Sequence, residues 1–194
     1  MPPRLIELRI NSWKEIHDIS ELLTPYVFRG QCDADWALST SLERCFKRFN
    51  PPLNIPHNRE YWMLHEFKRK YHLYSSTSPS ETDNFEWLAI MQHHGCPTRL
   101  LDFTYSIFLA AFFSVIDAET DSAIWAINQW DLKESLKKHF QLKFSPDTLR
   151  DGMNIHHIEL ANSFFGKRKT DHTFIIPAEP KSSQSASQGS RGCL

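Results

Sequence analysis

The run "SIFLAAFFSVI", residues 106–116, carries no charge and packs four aromatic or branched residues into each pair of helical turns. About 20 apolar residues are needed to cross a bilayer, so this run is too short to span one and reads as a buried helix. The residues leading into it are the opposite in character. In "QHHGCPTRLLDFTY" (92–105), Arg99 and Asp102 stand among Leu100, Leu101 and Phe103. An unpaired charge in apolar surroundings is very costly, so each of the two is expected to have a partner. At a spacing of three they can pair with each other or point apart. Asp102 or Thr104 is expected to cap the helix starting near Tyr105 by accepting one of its free N–H groups.

The rest of the chain must supply a core for that helix. Of 194 residues, 41% are hydrophobic, with six Trp and fourteen Phe, so disorder throughout is excluded. The formal charge of -1 makes no demand for a nucleic-acid partner. Cys32, Cys45, Cys96 and Cys193 stand far apart with no CxxC pair, which points to free thiols in a reducing compartment. The opening "MPPRLIELRINSW" lacks the basic, apolar, small-residue order of a signal peptide, so a cytoplasmic location is expected.

Along the chain, "RLIELRI" alternates like a strand. Ser12 with Glu15 three residues on forms a capping box ahead of a helix that ends at Thr24-Pro25. "YVFRGQ" (26–31) has strand composition, and "SLERCF" begins a short helix after a loop. The prolines of "FNPPLNIPHN" require a loop. "REYWMLHEFKRKYHLY" (59–74) has amphipathic helical spacing, and "FEWLAIMQHHG" (85–95) reads as a helix capped by Asp83 or Asn84 and closed by Gly95. "AIWAINQ" (123–129) reads as a strand, "DLKESLKKHF" (131–140) as a helix and "HTFIIPAEP" (172–180) as a further strand. Residues 176–194 read as a low-complexity tail. Helices and strands mix without βαβ alternation, so an α+β fold is expected, with a small central sheet and flanking helices, in one domain over residues 1–175.

Arg29 sits in the predicted strand, where its guanidinium fork suits phosphate or carboxylate. The alternative is a structural pair with a carboxylate such as Asp102. Gly30 beside it permits close backbone approach by a ligand or a tight turn. His93, His94 and Cys96 cluster, but adjacent histidines chelate badly on a helix and no metal is expected. His93 or His94 suits acid–base work, since imidazole titrates near neutrality. Cys96 as a nucleophile and the Lys68–Lys70 face as a nucleic-acid contact are the weaker alternatives to filler and a solvated helix face.

"YVFRGQCDADWALSTSLER" together with "WLAIMQHHGCPTRLLDFTYSIFLAAFFSV" resembles the FRG domain family. Phe28-Arg29-Gly30 matches the motif behind its name. His93, His94, Gly95, Pro97, Thr98, Arg99, Leu100, Leu101, Asp102, Phe103 and Thr104 match its second block. The resemblance covers residues 10–130. It departs at Thr40, where the family carries proline, and at "SQGSRGCL", a degraded copy of the family's Gln-x-Gly-x-Phe element. What the resemblance implies is a bacterial protein in a phage-defence setting. The layout is also similar to ADP-ribosyltransferase folds, an analogy of architecture alone. That analogy implies a nucleotide-type ligand, NAD, held by Arg29, Gly30 and Arg99. His94, Asp102 and Thr104 would serve a transferase or glycohydrolase reaction, with Thr104 or Ser106 bracing the site. Glu159 and Glu179 are the carboxylates available to an oxocarbenium-like transition state. The rival expectation is a non-catalytic binding or regulatory module in which Arg29, Arg99 and Asp102 form a structural network. No membrane or nucleic-acid partner is expected, and no protein partner is indicated.

Overall fold

The computed structural model describes residues 5–49, 56–140, 158–159, 162, 165 and 175–178. Among them are six helices and one antiparallel strand pair, so the fold class is α+β as expected. In chain order they are α1 (Trp13–Ser20), β1 (Tyr26–Gln31), α2 (Ser41–Phe49), α3 (Pro56–Tyr71), α4 (Asn84–His93), α5 (Ile107–Val115), β2 (Ala123–Asn128) and α6 (Gln129–Phe140). Internal contacts gather them into two compact units. The first is Met1–Ala34 with Phe103–Trp130, and the second is Asp35–Asp102 with Asp131–Leu194.

The first unit is a two-stranded ribbon with a helix on one face. β1 and β2 pair antiparallel, with Phe28 opposite Ala126 and Arg29 opposite Trp125. Thr104 extends the ribbon on the other edge of β1, its N–H and C=O exchanging 2.8 Å bonds with Phe28. Side chains alternate across a strand, so Phe28 and Gly30 face one way and Val27, Arg29 and Gln31 the other. The Phe28 face is the core, where Ile16, Phe28, Ile107, Ala110 and Ala111 pack together. Gly30 is required there. A Cβ at that position would lie 2.0 Å from the Ala110 carbonyl oxygen and 2.7 Å from the Ser114 nitrogen. The backbone of α5 therefore rests directly on β1.

Three expectations need correction in this unit. The cap of α5 is Ser106, which accepts from Leu109 N–H at 3.3 Å. Thr104 lies two residues too early and instead accepts from Ser106 N–H at 3.1 Å. The helix is buried on one side only, through Ile107, Ala110, Ala111 and Ser114. Apart from Ile107, the residues on that side are small, because only alanine and serine fit against Gly30. Residues 5–11 form no strand: Leu5, Ile6 and Leu8 are exposed and pair with no strand among the described residues. The Ser12 cap forms as expected, with Glu15 reaching back to Asn11 N–H.

The second unit has a core of Leu64, Trp87, Leu88 and Met91, with Phe67, Tyr71, Cys96, Leu100 and Phe165 against it. Each fully buried large side chain contributes about 1.5–3 kcal/mol. α4 starts at Asp83, which accepts from Glu86 N–H at 3.4 Å. It closes as a Schellman motif: Gly95 takes φ +80, its N–H bonds Gln92 C=O at 2.8 Å, and Cys96 N–H bonds Met91 C=O at 3.1 Å. α2 opens on a capping box of its own. Thr40 Oγ1 accepts from Glu43 N–H at 3.2 Å and Glu43 Oε2 accepts from Thr40 N–H at 2.7 Å. Of "HTFIIPAEP", residues 175–178 are described and are not strand. The tail from 179 onward lies outside the described residues.

Candidate functional site

The expected site residues divide between the units. Arg29, Gly30 and Thr104 belong to the first, and His94, Arg99 and Asp102 to the second.

In the second unit the loop after α4 is anchored by residues that had not been singled out. Arg99 N–H donates to Glu60 Oε1 at 2.9 Å, and its guanidinium clasps Glu60 Oε2 through Nε and Nη2. Glu60 is 0% exposed. The partner that a charged Arg99 demands is thus a carboxylate of α3, 39 residues away in sequence. The outer face of the guanidinium lies over the Phe165 ring at 5.5 Å. Asp102 has its own role, as its Oδ1 accepts from Gln92 Nε2 at 2.6 Å. Gln92 in turn accepts from the hydroxyl of fully buried Thr98 through Oε1. Thr98 ties the loop to α2 as well: its N–H donates to Ser41 Oγ at 3.0 Å and its C=O accepts from Leu42 N–H at 3.1 Å. The α4 side chain that holds the Pro-Thr-Arg loop is therefore Gln92. His94 is exposed among the rings of Phe67, Tyr71 and Tyr74, at 5.7 to 6.2 Å.

A signal for Glu60 existed. It shares the stripe 60, 64, 67, 71 with Leu64, Phe67 and Tyr71, and a carboxylate on an apolar stripe needs a buried cation. The cavity beside Arg99, lined by Phe85, Leu88, Leu100, Asn162 and Phe165 among others, measures about 40 Å³. Ligand pockets run to about 300–1,000 Å³, so this one takes a water and not a nucleotide.

In the first unit the side of Gly30 is filled by the α5 backbone. The close approach that glycine allows there is a helix's. The opposite face of the ribbon is different in kind. Arg29 and Gln31 project from β1 beside Trp125 of β2, which is paired with Arg29. Gln31 is only 8% exposed. Its Oε1 and the indole Nε1 of Trp125 are buried with no hydrogen-bond partner among the described residues. A buried polar atom left unsatisfied costs about 1–3 kcal/mol, so an acceptor and a donor on one ribbon face set it apart from the apolar face under α5.

Two motifs now have structural reasons to be where they are. The Phe-Arg-Gly triplet places one residue in the core, one on the opposite face and one under α5. The Pro-Thr-Arg-Leu-Leu-Asp block is the anchored loop that delivers the chain to Thr104. A family model for the FRG domain matches residues 24–123, which spans both motifs and more than half of the chain. The chain belongs to the FRG domain family. No match was found among curated proteins or among solved structures. Two further observations bear on the chemistry of this FRG domain. Among the described residues, no group of three or more His, Cys, Asp or Glu could hold a metal, and no helix is long and apolar enough to cross a membrane. Cys32, Cys45 and Cys96 are free thiols, and Cys193 lies outside the described residues. Of the two late carboxylates, Glu159 is exposed and Glu179 lies outside the described residues.

Proposed function

We propose that this FRG domain binds a nucleotide-type ligand on the ribbon face that carries Arg29, with NAD as the first candidate. The observation that carries the reading is that Arg29, Gln31 and Trp125 share one ribbon face, on which Gln31 Oε1 and Trp125 Nε1 have no hydrogen-bond partner among the described residues. A ligand that both donates and accepts, as a nucleobase or a carboxamide does, offers a partner to each kind of atom. Arg29 on the same face supplies the charge that a phosphate needs. Thr104, bridged to Phe28, stands next to it at the sheet edge. In the second unit by itself, His94, Arg99 and Asp102 are the proposed catalytic and phosphate-binding candidates of a transferase or glycohydrolase reaction. In a bacterial phage-defence setting such a domain would consume or sense a nucleotide pool.

Calorimetric titration of the full chain with NAD tests this. The expected result is saturable binding that Arg29→Ala and Gln31→Ala each weaken at least tenfold, about 1.4 kcal/mol. No heat of binding at millimolar NAD overturns the reading. Release of nicotinamide from bound NAD would add catalysis to it.

A second reading, a non-catalytic binding or regulatory module, is favoured by the bonding of Arg99 and Asp102. Glu60 and Gln92 engage them as scaffold. Under it, Arg29→Ala lowers the melting temperature and there is no turnover to lose.

A further inference from the structure

The outer face of α5 poses a separate question. Phe108, Leu109, Phe112, Phe113, Val115 and Ile116 remain 37% to 55% exposed. They follow one another at one, three and four residues, which makes a single stripe along the helix. Tyr105 extends it at one end, and the His17 ring of α1 stands 6.4 Å from Phe108 at its flank. From Ser106 to Ile116 the sequence holds no ionisable side chain. A fully buried aromatic side chain contributes about 150–250 Å², so at half exposure the stripe with Tyr105 presents roughly 600 Å². The largest apolar patch on an ordinary monomer is about 300–600 Å², often with a function.

We propose that this stripe is a homodimer interface, in which a second copy of the chain lays its own α5 antiparallel across the first. Doubling the patch gives about 1,200 Å² of buried surface, the lower bound for a specific, stable interface. A two-fold interface sets each residue against its own neighbourhood, so a face free of charge is self-complementary without repulsion. Orientation follows from the charges just past the helix. Asp117 and Glu119 are exposed at its C-terminal end. In the antiparallel arrangement they lie opposite the N-terminal turn of the other α5, where free N–H groups favour negative charge. A parallel arrangement would stack them on each other.

Analytical ultracentrifugation of the full chain, from about 1 to 100 µM, tests the proposal. Wild type is expected to move from monomer to a discrete dimer across that range. Phe112→Glu, at the centre of the stripe, is expected to remain monomeric at the highest concentration while keeping the wild-type circular dichroism spectrum. A wild type that stays monomeric throughout overturns the proposal. So does a dimer that Phe112→Glu leaves intact, or an unlimited series of larger species. Should the charged variant fail to fold, Phe112→Ala decides: a dissociation constant at least about tenfold weaker supports the interface, and an unchanged one overturns it.

Discussion

Replacing Gly30 with alanine is the sharpest test of how this domain is held together. The new Cβ would stand 2.0 Å from the Ala110 oxygen and 2.7 Å from the Ser114 nitrogen. Carbon and oxygen do not approach inside about 3 Å without cost, so α5 must withdraw by roughly an ångström. Both obstructing atoms are backbone, so no side-chain rotation relieves them. A gap of 0.5–1 Å forfeits about a quarter to a half of each lost contact. The contacts at stake are those of Ile107, Ala110 and Ala111 with Phe28 and Ile16. Overpacking usually costs about 1–3 kcal/mol, and this case belongs at the upper end, about 3 kcal/mol. Gly95 is the internal control. It has φ +80, but nothing lies within 4 Å of its Cβ position, so alanine there meets only the left-handed penalty of about 1 kcal/mol. Thermal unfolding followed by circular dichroism should place Gly30→Ala about 6–12 °C below wild type and Gly95→Ala about 2–4 °C below. If Gly30→Ala melts no lower than Gly95→Ala, the direct seat of α5 on β1 is wrong.

Three other perturbations have definite outcomes. Glu60→Ala removes the acceptor of both the Arg99 amide and its guanidinium, and should cost about 1.5–3 kcal/mol in urea denaturation, since the partly exposed Arg99 side chain is left to water; no measurable loss would contradict the pairing. Thr40→Ala opens the α2 capping box and should cost about 1 kcal/mol, read as a lower urea midpoint at unchanged slope. The Arg69 hydrogen bond, with help from the charges of Arg69 and Lys70, holds the Glu66 carboxyl below its ordinary value. A depressed carboxylate stabilises above its unfolded pKa and loses that contribution as pH falls through the folded one. Glu66→Gln should therefore melt slightly below wild type at neutral pH and together with it in acid; a gap that persists at low pH would refute the assignment.

Local rules were enough to read much of this fold. The strand at 26–31, the Ser12 box, the Asp83 cap and the Gly95 terminus each follow from a few neighbouring residues and the backbone's need to satisfy its N–H and C=O groups. Long-range pairing was not legible in that way. Arg99 announced its need for a carboxylate, but Asp102 was nearer in sequence than Glu60, and sequence distance says nothing about which helix face arrives. The apolar run 106–116 fixed a helix without fixing its buried side. Hydrophobicity alone assigns the phenylalanines to the interior, and only the glycine on β1 shows that the alanines take that place. Gln31 and Trp125 carried no motif. They came onto one ribbon face through the register of two strands far apart in the chain, and a single sequence does not display that register.

The ribbon has one more consequence, for how the chain is made. Its two strands are separated by residues 32–122. At translation rates of about 5–20 residues per second, β1 leaves the ribosome on the order of 5–20 s before β2 exists to pair with it. For that interval the edge of β1 that pairs with β2 has no native partner. The nascent chain is thus exposed to wrong pairings, and a holdase that binds short aromatic segments would find its natural client site at residues 26–31.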